Sequence, residues 1–245
     1  DATLIGWFGL SNSESVKKTQ DKYHDGCWAE YACYPAQNCY VIPEGPQTPQ
    51  MSVLAQLGGI FIAAGALKKS SMRAGQVVAV GGASGSLGAY AVVAALAFGA
   101  SHVYAIGRNQ DALAQLVAAD PKRVTAVSAD PLQIKQVCGG KIDVYLDAYG
   151  ALDKPDLIIA GIEALKVRGH AVLFGGVQCK IPMDYSVLLS KEITVCGSFM
   201  YDDNTAKECI MLLMSGQLNP KCIPVIEYPL EKATEAIAAA SKAHG

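Results

Sequence analysis

Val77-Val78-Ala79-Val80-Gly81-Gly82-Ala83-Ser84-Gly85-Ser86-Leu87-Gly88 is the stretch on which the fold turns. Four apolar residues, mostly β-branched, run straight into glycines at 82, 85 and 88, and an alanine-rich run without a helix breaker follows from Ala89 to Phe98. That order is strand, tight turn, helix, the opening of a βαβ unit that cradles a dinucleotide pyrophosphate. Two of the glycines let the backbone turn sharply and approach the phosphates, and the third lets helix and strand pack closely. Unpaired N–H groups and the positive end of the helix dipole then face the anion. A bare Gly-x-x-Gly-x-x-Gly in a loop is most simply a flexible turn. The strand before it and the helix after it select the nucleotide reading here.

Outward from this stretch the chain alternates. Short apolar runs at 77–80, 103–106, 124–127, 142–146, 171–174 and 193–196 read as strands, with helical segments near 86–98, 110–118, 131–137, 154–165 and 184–190 between them. Runs of this kind suit parallel strands covered on both faces, because each crossover returns a helix over the sheet. The fold class expected is therefore α/β, a doubly wound parallel sheet. A helical run from 51 to 67 precedes it, and 204–216, 222–228 and 231–244 follow as helix, strand and helix. Residues 1–50 form a distinct region. Alternation over 27–40 suggests strands, and Pro43, Pro46 and Pro49 make a stiff connector that no sheet interior accommodates.

Half of the 245 residues are apolar (51%) and 17% are charged, with a formal net charge of −2. There is no basic field, so nucleic acid is not an expected partner. No uninterrupted apolar stretch approaches the roughly 20 residues that span a bilayer, so a membrane is not expected either. Eight cysteines include no Cys-x-x-Cys pair, which suits buried reduced thiols in a cytoplasmic protein better than disulfides or a metal. Cys27, Cys33 and Cys39, six apart, would share one face of an extended strand.

From about Trp7 onward the chain resembles the medium-chain dehydrogenase/reductase superfamily of alcohol dehydrogenases and quinone reductases. The matching stretches are Asp25-Gly26-Cys27-Trp28-Ala29-Glu30-Tyr31, Ile42-Pro43-Glu44-Gly45, Ala66-Leu67-Lys68 before Gly75-Gln76-Val77, and the Gly82 to Gly88 turn. Asp143-Val144-Tyr145-Leu146-Asp147-Ala148, residues 169–176, residues 193–199 and Tyr228-Pro229-Leu230-Glu231-Lys232-Ala233 continue it in order. The resemblance implies a Rossmann domain over 51–205. Beside it would lie a partial GroES-like catalytic domain, built from residues 1–50 and from a returning segment at 206–245. It also implies a homodimer formed through the edge strand near Ile193 to Ser198. The superfamily's catalytic domain begins upstream of Asp1, with its first zinc ligands. Its helix cysteine aligns with Gly58, and Ser11, Asn12, Ser15 and Lys18 stand where structural-zinc thiols would be expected. His24, His102, His170 and His244 are scattered singly, so no metal is expected.

The cofactor expected is NADP(H). In this fold an acidic residue ending the second strand binds the adenosine ribose and selects NAD. Here that strand ends in Gly107-Arg108-Asn109, with Asp111 placed to cap the next helix. Gly107 removes bulk and repulsion, and Arg108 offers a planar fork to the extra phosphate. The cofactor-binding set is Gly82, Ser84, Gly85, Ser86, Leu87, Gly88, Gly107, Arg108 and Asn109, with Ala148, Gly175, Gly176 and Ser198 at the later strand ends. Without zinc, reduction of an activated double bond or a small carbonyl is favoured, with a tyrosine or water supplying the proton. Tyr149, at the end of a strand, and Tyr23 and His24, on the N-terminal loop, are the catalytic candidates. The expected function is a zinc-independent NADPH-dependent oxidoreductase acting on a small carbonyl or enone. The alternative is a nucleotide-binding relative without redox activity, serving as a non-redox enzyme, sensor or scaffold.

Overall fold

A computed structural model describes Lys18 and residues 21–23, 26–45, 48–150 and 152–242. Six strands form one sheet: β1 (Val77–Gly81), β2 (His102–Gly107), β3 (Val124–Ser128), β4 (Ile142–Asp147), β5 (Leu165–Leu173) and β6 (Thr194–Gly197). Their spatial order is β3-β2-β1-β4-β5-β6 and every pairing is parallel. The order reverses between β1 and β4, so the crevice beyond their C-terminal ends is the place where ligands gather in such sheets.

Helices cover both faces. Helices α1 (Met51–Leu54), α2 (Leu57–Lys69), α3 (Ser86–Ala97), α4 (Gln110–Ala119) and α8 (Asp203–Met214) contribute to one core, with Val78, Val80, Val103 and Leu146 of the sheet beneath them. Helices α5 (Pro131–Cys138) and α6 (Asp156–Glu163) cover the other face, over Ala79, Ile106, Tyr145 and Ala171; α7 (Tyr185–Lys191) packs beside them. Adjacent residues in β1 and β4 therefore enter opposite cores, as a pleated strand dictates. Helix starts follow side-chain chemistry. Asn109, Asp130, Asp184 and Asp202 each accept a bond from the first turn of the helix they precede.

Three expectations are corrected. Residues 27–40 are bends and a short 3-10 turn at Ala36–Asn38, not strands, and most of their side chains are exposed. Alternation alone could not supply the sheet edge that a strand needs. Residues 222–228 are likewise irregular, with Pro224 denying the backbone one donor. The Met51–Lys69 run, 19 residues long, is apolar enough by length and composition to match a bilayer crossing, although polar residues interrupt it; it forms α1 and α2, and more than half of it is buried in the core. The chain bends within it at Ala55 and Gln56. A last helix, α9 (Ala233–Lys242), buries none of its residues.

Gly161 in α6 lies flat against the Tyr145 ring, where an added Cβ would overlap the ring carbons. Tyr145 is fully buried and cannot swing aside. Gly161→Ala should therefore lower stability by about 1–3 kcal/mol in urea unfolding, despite alanine's better helix propensity.

Candidate functional site

The crevice at the end of β1 is built from backbone. Gly82 holds φ +77°, and a side chain there would meet the Ala148 carbonyl at 2.9 Å. The turn is pinned by Ala83 N–H to Ile106 O at 2.9 Å and closed by Gly85 N–H to Gly82 O at 3.0 Å. Gly85 then caps α3 without a side-chain bond, so the N–H groups of its first turn are left for a ligand. Gly88 lies directly on the Gly82 carbonyl, a contact no Cβ fits. These features match a pyrophosphate cradle, so the residues present fit a dinucleotide.

The later strand ends close in on the same place. Ala148 N–H donates to Gly81 O at 3.0 Å, Gly175 N–H to Asp147 O at 2.9 Å and Gly176 N–H to Tyr149 O at 2.8 Å. Ser198 N–H reaches Leu173 O at 3.0 Å. The strand ends carrying Ala148, Gly175 and Gly176 thus lie together around the turn, with Ser198 one strand further out. On the other side Gly107 is buried against the Ser84 side chain, and Arg108 is exposed just beyond it. A cavity of about 270 Å³ opens between the turn and α4, lined by Ser84, Ser86, Asn109, Asp111 and the Cys222 to Pro224 segment. Asn109, not Asp111, is the helix cap: its Oδ1 accepts from Asp111 and Ala112 N–H at 3.1 and 3.2 Å. The residue before the first turn has the extended backbone that a cap needs, and Asp111 is already helical.

Tyr149 is only 7% exposed, with its ring packed beneath Gly81. Its hydroxyl has no hydrogen-bond partner among the described residues; burial first, then the nearby Asp147 carboxylate, holds its proton far more tightly than usual. Tyr23 is half-buried beside Lys22, and His24 lies outside the described residues. Asp147 is the residue that sequence reasoning undervalued. It is 3% exposed, burial pushes its carboxyl up to about 6, and it accepts a bond from Tyr149 N–H at 3.2 Å. The Tyr-x-Asp-x-Tyr spacing was the available signal, since alternation puts Tyr145 and Asp147 on one buried face.

The family model for zinc-binding dehydrogenases matches residues 86–215. The chain belongs to the zinc-binding dehydrogenase family. A probable D-xylulose reductase A from Aspergillus clavatus is 32% identical over 205 residues, covering 81% of this chain and 55% of the relative. The chain thus spans about half the length of the curated relatives it matches. Among solved structures, a cobalt- and zinc-bound thermostable alcohol dehydrogenase from Pyrobaculum aerophilum is 27% identical with a TM-score of 0.68, covering 87% of this chain and 59% of that one. A short chain alcohol dehydrogenase from Escherichia coli CFT073, complexed with NADH, shares the fold at a TM-score of 0.71 and 18% identity, over 85% and 60% of the two chains. The family name implies zinc, but the described residues do not fit it. Among them no three His, Cys, Asp or Glu side chains come together. Gly58 has nothing within 4 Å of where a side chain would start.

Proposed function

We propose that this chain forms the nucleotide-binding part of an NADP(H)-dependent oxidoreductase that reduces a small carbonyl or enone without zinc ligated by its described residues. The observation carrying the cofactor choice is the end of β2. Gly107 there offers no carboxylate to ribose hydroxyls, and the exposed Arg108 follows it. A guanidinium suits a phosphate monoester by charge and by its two parallel donors. When bound, the nicotinamide nucleotide supplies the hydride chemistry. The chain's own part is to cradle the pyrophosphate on the α3 N-terminus and to direct the nicotinamide half toward the ends of β4, β5 and β6. The ketose reductase named among the relatives falls within the carbonyl class. Eight free cysteines fit a reducing cytoplasm, and the unpaired edge of β6 fits a homodimer.

Arg108→Ala should weaken NADPH binding about tenfold to 150-fold, the loss of one charge-assisted contact, and leave NADH binding unchanged. Calorimetry with both nucleotides checks this, and equal NADPH affinity in the variant refutes the assignment. A second reading, nucleotide binding without hydride transfer, draws on the burial of Tyr149, which withdraws the strand-end proton donor from a substrate. NADPH oxidation at 340 nm over aldehydes, ketones and enones separates the two. Tight binding with no turnover favours the second.

A further inference from the structure

Beneath the glycine turn the fold encloses three polar groups that the nucleotide reading leaves unused. Tyr145 is fully buried, Asp147 is 3% exposed and Tyr149 is 7% exposed. Among the described residues neither phenol oxygen has a partner. The Asp147 carboxyl accepts one bond, from Tyr149 N–H at 3.2 Å. Both tyrosines converge on the last residue of β1. A side chain at Gly81 would meet Tyr145 Oη and Tyr149 Cε2 at 2.6 Å each.

The surroundings offer the carboxyl no counter-charge. From β4 comes Tyr145, and from the loop after it Tyr149, both of which feel the Asp147 charge. From the end of β2 Arg108 acts on Tyr149, and Gly82 N–H approaches the same phenol without closing a hydrogen bond. The loop after β5 sends Phe174 and Gly175 N–H to the Asp147 main-chain carbonyl, and α6 presents Gly161 to the Tyr145 ring. Among the described residues no cation lies within ion-pair distance of Asp147.

We propose that Asp147 is a proton acceptor coupled to the site above it, taking up a proton from solvent when an anionic nucleotide seats on the glycine turn. The inference rests on the nucleotide reading of that turn. A pyrophosphate brings negative charge to the end of β1, where Asp147 of β4 pairs in register with Gly81. Like charges in a poorly solvated site raise the cost of ionisation. Protonation relieves it: the carboxylate becomes a carboxylic acid, gaining an O–H donor and losing the charge that both neighbouring phenols feel. The only other change is the loss of one proton from the buffer. Burial, offset in part by the Tyr149 N–H bond, already brings the carboxyl to about 6, so a modest further rise carries it across neutrality. Nucleotide affinity then falls as the pH rises.

NADH is the probe, because it lacks the 2′-phosphate whose own titration lies near the same pH. For the wild-type protein its Kd should rise about tenfold between about pH 5.5 and about pH 8, one unit of coupling. Asp147→Asn should bind NADH with a Kd constant within about twofold across that range. Should the variant fail to fold, wild-type calorimetry at neutral pH in buffers of different ionisation enthalpy decides, with roughly 0.4 proton taken up per NADH expected. A flat wild-type profile with NADH bound, or no proton uptake, overturns the proposal while leaving the nucleotide reading intact. No binding of NADH or NADPH at any pH overturns both.

Discussion

Gly88→Ala is expected to weaken NADPH binding more than a hundredfold and to lower stability by about 2–4 kcal/mol. The alanine methyl would overlap the Gly82 carbonyl oxygen and come within 2.7 Å of Ala83 Cα, all backbone. A flexible side chain could yield; this backbone cannot. It is tied to β2 through Ala83 N–H to Ile106 O and closed on itself by Gly85 N–H to Gly82 O. The remaining escape is for α3 to lift away from the sheet. That opens the packing of Ala91, Val92 and Ala95 in the core and carries the N–H groups of the first turn off their target. Gly85→Ala is the internal contrast. Gly85 has φ −93°, and a methyl there meets only Gly82 O, at an ordinary 3.5 Å. Its stability should change by less than about 1 kcal/mol. NADPH fluorescence titration beside urea unfolding measures both. Undiminished binding by Gly88→Ala would remove the glycine turn from the nucleotide site.

The same backbone argument explains what the sequence disclosed. Val77 to Gly88 could be read because strand, turn and helix each leave a local mark: β-branching, glycine, and an unbroken alanine run. Helix caps also act locally, since Asp130, Asp184 and Asp202 accept from N–H groups two or three residues away, but the sequence reading assigned a cap only to the helix after β2. Even there one assignment slipped by two positions, because both Asn109 and Asp111 have the right chemistry and only backbone conformation separates them. What failed depended on distant partners. The alternation at 27–40 and 222–228 describes residues that could pair, but among the described residues no strand pairs with them to receive the bonds. The ends of β4 and β5 failed differently. Tyr149 reads as a strand-end donor in the sequence, and nothing local says that its ring folds back under Gly81. That outcome is decided by an absent Cβ 68 residues away in sequence, where Gly81 leaves the room.

Asp147→Asn should raise stability by about 1–3 kcal/mol near pH 7.5 and leave it almost unchanged near pH 4. Burial lifts the native carboxyl from its ordinary 3.8 to about 6, so the folded state holds this proton more tightly than the unfolded chain does. The group's contribution is complete below about 3.8 and is lost as the pH climbs through about 6. Over that window about two units of difference remove roughly 3 kcal/mol. Asparagine matches the shape, keeps an oxygen for Tyr149 N–H at the position now 3.2 Å away, and never ionises. Urea unfolding of both proteins from about pH 4 to about pH 8 gives the difference directly, free of other titrations common to both. Parallel curves would show that the carboxyl is solvated in solution and would withdraw the cause assigned to its shift. A divergence opening between about pH 4 and about pH 6 would mark Asp147 as a residue that weakens the resting protein at neutral pH. A neutral isostere could fill the place with more stability. A group of that kind beneath an anion cradle fits the usual exchange of stability for ligand response. The proton that Asp147 gives up in the empty protein is the one a bound nucleotide would restore.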